Sequence, residues 1–119
     1  MTNLRVELVW IPTQEEFDLF ARISGDDNPI HVDPAFSART RFGRTVSHGM
    51  LIYSKLWGLI VEAMPHARQA SQAMMFPNPC FAGEPVSLAI EEIAERRFSM
   101  RAIRRDDGAE LLVGETELA

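Results

Sequence analysis

The most constraining feature of this sequence is a long run of apolar residues from Gly49 to Met64. The run reads GMLIYSKLWGLIVEAM, carries charges only at Lys55 and Glu62, and is closed by Pro65, which ends a helix. A helix that is apolar on nearly every side has to be covered by the rest of the fold or by lipid. A membrane span needs about 20 largely uncharged residues, so this shorter run predicts a buried helix and no membrane segment.

Strand patterns lie on both sides of this helix. Apolar and polar residues alternate with a period of two at several places, and Asp107-Gly108 marks a hairpin. The predicted strands are residues 4–9, a weak strand at 68–76, and, after a turn-rich crossing at 77–85, strands at 86–90, 97–102 and 110–118. Helices first and antiparallel strands later predict an α+β fold whose sheet wraps around the apolar helix.

Two shorter helices are predicted before the central one. Thr13 and Glu16 have the spacing of a capping box, in which each side chain accepts a hydrogen bond from the other residue's backbone amide. Gly25 is placed to end this helix in the left-handed conformation. A polar loop follows at 25–33, and Asp33-Pro34 predicts a brief helix through Ala38.

The length of the chain predicts one domain, residues 1–119, that associates with a second chain. With 119 residues, 46% of them hydrophobic and 24% charged, the composition is that of an ordinary globular protein. A domain of this size buries about 65% of the surface of its unfolded chain, so a deep substrate cavity is hard to build from one copy. We therefore expect a homodimer.

Charge and cysteine content exclude several classes of protein. The formal charge of −5 is the wrong sign for binding nucleic acid. The single cysteine, Cys80, cannot form an intrachain disulfide, and no Cys/His set has zinc-site spacing. The N-terminus has Arg5 and Glu7 where a signal peptide needs an apolar stretch. We expect a cytoplasmic protein.

Chemically useful residues occur in the loop at 25–33. Asp26 and His31 are five residues apart and can share a site if the segment between them is looped, which Gly25 and Pro29 favour. A carboxylate and an imidazole at one point are suited to acid/base addition of water. The alternative is that Asp26 or Asp27 caps local backbone amides and His31 only satisfies a turn.

A second group, Ser47 to Met50, opens the apolar helix. Unpaired amides and the positive end of the helix dipole make such a terminus an anion site, and Gly49 lets a ligand oxygen approach the backbone. This is the geometry of an oxyanion hole for a thioester carbonyl. The alternative is that Ser47 is an ordinary N-cap and Gly49 only allows tight packing. His48 is either a second base or a histidine satisfied within its turn, and we favour the second interpretation.

Two further kinds of site are disfavoured. Cys80 has no base near it in sequence, so we do not expect it to be a nucleophile. A metal site built from His31, Asp33, His48 and His66 has no recognised ligand spacing, so we predict no metal.

Two segments carry a family resemblance. SGDDNPIHVDPAF at 24–36 and FGRTVSHGML at 42–51 resemble the hydratase-2 motif of MaoC-like, (R)-specific enoyl-CoA hydratases. The resemblance implies a hotdog domain, in which a curved antiparallel sheet surrounds the helix at 49–64, assembled as a homodimer. It also implies a catalytic pair of Asp26 and His31, an Asn28 that helps to orient the histidine, and a Gly49 amide in the oxyanion hole. Glu84 departs from the family, where an aspartate is more usual.

The activity implied is that of a lyase of fatty acid metabolism. Such a hydratase adds water reversibly to a 2-enoyl thioester, with coenzyme A as part of the substrate and no other cofactor. Ser47 and Met50 are then expected to contact the substrate. Tyr53 and Trp57 either wall the acyl tunnel or pack in the core. The alternative functions are a hotdog acyl-CoA thioesterase and a non-catalytic hotdog subunit of a heterodimer.

Overall fold

The computed structural model describes residues 3–119, which form one antiparallel sheet packed against a long helix. The elements are β1 (Arg5–Trp10), α1 (Gln14–Ser24), α2 (Pro29–Val32), α3 (Pro34–Ser37), α4 (Gly49–Ala63), β2 (Gln69–Met75), β3 (Val86–Ala94), β4 (Arg97–Arg104) and β5 (Glu110–Leu118). The five strands lie in the order β1-β3-β4-β5-β2. The predicted α+β arrangement is confirmed, and no helix in this part of the chain is long and apolar enough to cross a membrane.

Helix α1 begins and ends where its sequence predicts. The Thr13 hydroxyl accepts from the Glu16 amide at 3.2 Å, and the Glu16 carboxylate accepts from the Thr13 amide at 3.2 Å. At the other end Gly25 has φ 82°, and its N–H donates to the Ala21 carbonyl. The capping box and the left-handed C-cap are therefore both confirmed.

The core lies between α4 and the sheet. Strands β3 and β4 pair with Leu88 opposite Ala102 and Ile90 opposite Met100, so alternate residues of both strands face the helix. These side chains are buried together with Leu56 of α4. The period-two pattern thus predicted the inward face of the sheet.

The expectation that α4 is buried on nearly every side is wrong for a single chain. Leu51, Ile52, Leu56, Leu59 and Ile60 are buried, whereas Met50 and Val61 are exposed. One sheet covers only one side of a helix. The other side of α4 stays uncovered in the chain alone.

The loop predicted at 25–33 contains a turn of helix. Pro29 stands in its first turn, and the Asn28 side chain accepts a hydrogen bond from the Ile30 amide at 3.1 Å. This cap stabilises the four-residue helix α2, which the proline preorganises. His31 is thereby placed on α2, and Asp26 stays in the loop before it.

Candidate active site

The end of α1 and the start of α2 bring Asp26 and His31 together. The Ser24 hydroxyl accepts from the Asp26 amide at 3.1 Å, and the Asn28 carbonyl accepts from the His31 amide at 3.0 Å. The distance from Asp26 Oδ2 to His31 Nε2 is 3.8 Å. The Asp26 side chain is 55% exposed and that of His31 is 14% exposed. The predicted juxtaposition exists, with the carboxylate open to solvent and the imidazole largely enclosed.

A backbone carbonyl sets the orientation of the His31 ring. His31 Nδ1 lies 2.9 Å from the Val46 carbonyl, which can only accept, so Nδ1 carries the hydrogen. The Val46 amide in turn donates to the Ile30 carbonyl at 3.0 Å. In the neutral ring Nε2 is then an acceptor directed toward Asp26. Asn28 therefore supports His31 through the backbone of α2, and the ring itself is oriented by Val46.

His48 contacts both members of the pair. Its Nε2 donates to the Asp26 carbonyl at 2.8 Å, and its ring stacks on that of His31 with centroids 3.8 Å apart and planes 24° apart. The centroid of the Phe20 ring lies 4.8 Å from that of the His48 ring. Our interpretation of His48 as satisfied within its own turn is wrong, because its hydrogen bond spans 22 residues.

Burial decides the charge of His48. Desolvation lowers the pKa of His48 below its ordinary value, although the hydrogen bond to the Asp26 carbonyl acts in the opposite direction. The ring is therefore neutral near pH 7. The Nε2–H bond to Asp26 then leaves Nδ1 as an acceptor, and this buried atom has no hydrogen-bond partner within residues 3–119.

The first turn of α4 contributes Gly49. A Cβ placed on Gly49 would lie 2.8 Å from two atoms of the Phe76 ring, so a side chain there would require this exposed ring to move. Across the described residues the Gly49 N–H has no acceptor, as expected for the first amides of a helix. His48, rather than Ser47, is the N-cap, and the Ser47 hydroxyl donates to the His48 carbonyl at 2.9 Å. The simple N-cap interpretation of Ser47 is therefore wrong.

These groups line one cavity of about 370 Å³. Its walls include Asp26, His31, Ser47, Gly49 and Met50. A larger cavity of about 770 Å³ lies over β2, β4 and β5, but the charged groups lining it include ion pairs such as the one between Arg97 and Glu117. We place the candidate active site in the smaller cavity, because it holds the carboxylate, the imidazole and the free helix amide.

Tyr53 and Trp57 do not line this cavity. Both are partly buried and pack against the core, and the Tyr53 hydroxyl accepts from the Gln69 side chain at 2.7 Å. Trp57 is eight residues after Gly49, which places it about 12 Å farther along the helix. Of the two interpretations left open by the sequence, the single chain favours core packing.

Asp26, His31 and His48 form the one candidate metal group found between residues 3 and 119. Their potential ligand atoms lie within 4.8 Å of one another. Two of the four ring nitrogens are taken by carbonyls, and the stacked rings direct their remaining lone pairs along nearly parallel planes. Such lone pairs do not converge on one ion at the usual distance of about 2.0–2.1 Å. The geometry favours proton transfer, and the absence of a metal or other cofactor stays a prediction.

Cys80 is unsuited to nucleophilic chemistry. The residue is buried, and this burial raises the pKa of its thiol to about 12. A thiol with that pKa has almost no thiolate at neutral pH. The structure thus supports the expectation that Cys80 is not a nucleophile.

Comparison with known proteins supplies independent information. A family described as MaoC like domain matches residues 3–110. The chain is 40% identical over 83 residues to an (R)-specific enoyl-CoA hydratase of Aeromonas caviae, covering 68% of this chain and 62% of that protein. It is 30% identical over 91 residues to a mitochondrial 3-hydroxyacyl-[acyl-carrier-protein] dehydratase of Arabidopsis thaliana, covering 76% and 55%. The alignments thus span less than two thirds of these relatives.

Solved structures give the same picture over the whole chain. The (R)-hydratase from A. caviae involved in PHA biosynthesis superposes with a TM-score of 0.88 at 30% identity, over 99% of this chain and 95% of that one. R-hydratase PhaJ1 from Pseudomonas aeruginosa, in its unliganded form, superposes with a TM-score of 0.87 at 26% identity, over 99% and 80%. The likeness therefore includes the sheet, the central helix and the segments that carry the site.

Proposed function

This chain belongs to the MaoC-like domain family, and we propose that it is a hydro-lyase acting on 2-enoyl thioesters. It adds water reversibly to the double bond and gives a (3R)-3-hydroxyacyl thioester, with coenzyme A as the carrier. The observation that carries the proposal is the meeting of Asp26 and His31 in the cavity that Gly49 also lines. The names of its relatives as hydratases and dehydratases support it.

The pair is arranged to hold a water molecule. An ionised Asp26 and the His31 Nε2 lone pair are both acceptors, and at 3.8 Å they are too far apart for a direct hydrogen bond. A water molecule can donate one hydrogen to each of them. The water oxygen then keeps its lone pairs free to attack carbon. A shared water molecule explains why two hydrogen-bond acceptors, the Asp26 carboxylate and His31 Nε2, face each other.

Addition then needs only a transfer of protons through the pair. As the water oxygen bonds to the β-carbon, one of its protons passes to Asp26 or His31, and the pair returns a proton to the α-carbon. The sum is H and OH across the double bond, with the pair restored. Because the two groups interact closely, they act as one coupled acid/base unit.

Gly49 stabilises the charge that develops during addition. Electron density shifts from the double bond to the thioester oxygen, which becomes enolate-like. We propose that the unpaired Gly49 amide, at the positive end of the α4 dipole, donates to this oxygen. Ser47 and Met50 line the same cavity and are proposed to contact the substrate.

We also propose that the working unit is a homodimer in the cytoplasm. Met50 and Val61 leave an apolar side of α4 uncovered, and β2 is an edge strand followed by the exposed Phe76. Unpaired edges and apolar helix faces are normally covered by another element. A second copy would cover both features near the active site. Cys80 is the single cysteine of the chain and is free, which fits a reducing compartment.

The test is a direct assay of the purified chain on crotonyl-CoA, hexenoyl-CoA and longer homologues. We expect the ultraviolet absorbance of the enoyl thioester to fall without release of free thiol, and the product to be the 3R enantiomer. Release of free thiol would instead indicate a thioesterase. Activity that appears only after a partner chain is added would indicate a non-catalytic subunit.

A further inference from the structure

Within residues 3–119, His48 both donates a hydrogen bond to the Asp26 carbonyl and stacks its ring on that of His31. We propose that His48 is a positioning residue, which fixes Asp26 and His31 relative to each other through its Nε2–H and through its ring face. The proposal rests on the proposed hydratase function, and it adds a residue with no direct part in the proton transfer.

The two contacts restrain different parts of the pair. Asp26 lies in a loop with an exposed side chain, and the 2.8 Å bond from His48 Nε2 anchors its carbonyl. The Val46 carbonyl fixes one edge of the His31 ring, and the stacked His48 ring fixes its plane. Without His48, the Asp26 carbonyl loses this hydrogen bond and the His31 ring loses its stacked neighbour. The 3.8 Å gap that would receive water depends on both.

The chemistry of His48 is that of a spectator beside the reaction. The groups facing its ring are His31, Phe20 and the backbone of Asp26, and the Asp26 charge lies close by. A neutral aromatic ring below His31 is compatible with His31 gaining a proton, because a cation is attracted to a ring face. A second cation there would repel it.

The unpartnered Nδ1 of His48 argues against a role in stability alone. The residue is 2% exposed, and a buried acceptor without a donor destabilises a fold. A phenyl ring would fill the same space and carry no such atom. Histidine at this position is therefore explained by its Nε2–H bond to Asp26.

Two substitutions separate the contacts. His48→Phe keeps a ring that can stack on His31 but removes the donor to Asp26. His48→Gln keeps an N–H at the place of Nε2 and removes the ring. Because a displacement of about 1 Å at a reacting group can cost 100-fold, we expect each variant to lower kcat about 10- to 100-fold. The KM for crotonyl-CoA should change much less.

His66 provides the matched control. It is exposed and lies after α4, outside the cavity, so His66→Phe and His66→Gln make the same chemical changes elsewhere. These variants should keep the wild-type kcat. Melting temperatures are measured for all four, and we expect His48→Phe to stay within about 5 °C of wild type. A kcat loss that merely follows the unfolded fraction would overturn the proposal.

A second measurement does not depend on activity. Nuclear Overhauser effects between protons of Asp26 and of the His31 ring report how far apart the two residues lie, and both His48 variants should change their intensities while the two His66 variants should not. Either His48 variant with the wild-type kcat and the wild-type Overhauser intensities would overturn the proposal. A wild-type chain that hydrates no enoyl thioester would contradict the proposed function instead, and the Overhauser measurement would then decide the role of His48.

Discussion

Replacing Asp26 by asparagine tests the proposed chemistry with the smallest change of shape. The substitution keeps the size of the side chain and removes its charge and its ability to accept a proton. The backbone contacts of Asp26, to the Ser24 hydroxyl and from His48, do not involve the side chain and are retained. The loop should therefore hold its conformation.

The structure sets the expected magnitudes for stability and for activity. The Asp26 side chain is 55% exposed and has one weak bond, at 3.5 Å from the Asn28 amide, so the free energy of unfolding should change by less than about 0.5 kcal/mol. General acid/base catalysis contributes about 10²- to 10⁴-fold to the rate, so kcat should fall by a factor within or beyond this range. This loss corresponds to about 2.7–5.4 kcal/mol of transition-state stabilisation.

Asp27→Asn is the matched control for this variant. Asp27 is the next residue, is exposed, and does not line the cavity, so its substitution removes the same charge from the same loop. Hydration of crotonyl-CoA is followed by the loss of enoyl absorbance, with melting temperatures measured in parallel. We expect Asp27→Asn to have wild-type kcat.

A double variant tests whether the pair acts as one unit. His31→Asn removes the imidazole and keeps an N–H near the place of Nδ1, where it can still donate to the Val46 carbonyl. If the two groups share one water and its proton, the double variant should be little slower than either single variant. A folded Asp26→Asn enzyme with near wild-type hydration would refute the assignment and return Asp26 to the role of a loop cap.

Three further predictions follow from the fold. The mass by sedimentation should be twice the 13.4 kDa of the chain, and a fully active monomer would contradict the homodimer. Trp57→Ala should lower stability by about 3 kcal/mol and leave the ratio of kcat/KM for hexenoyl- and crotonyl-CoA unchanged, whereas a shift toward longer chains would show that the ring walls the acyl tunnel. Burial opposes the ionisation of Glu16, but hydrogen bonds from Lys55 and Trp10 outweigh it and lower the pKa of Glu16. Glu16→Gln should therefore reduce the melting temperature at pH 7, and the difference should shrink as the pH falls below the unfolded-state value of about 4.5.

The sequence alone predicted the elements of this fold because their signals are local. The Thr13–Glu16 capping box and Gly25 mark both ends of α1, and each acts within one turn of helix. Alternation along β3 and β4 identified their buried faces, since the side chains of a strand point to opposite sides. The proximity of Asp26 to His31 was also predictable, because five residues separate them and a loop joins them.

The tertiary structure decided which groups surround that pair. Val46 orients His31, His48 anchors Asp26, and Phe76 lies against Gly49, and each of these contacts joins segments far apart in the chain. From its neighbours in the sequence, His48 was predicted only to be satisfied within its own turn. A pattern within one segment cannot show which distant segment will pack against it. For the same reason the apolar run of α4 predicted burial on nearly every side, while the sheet of one chain covers one side only.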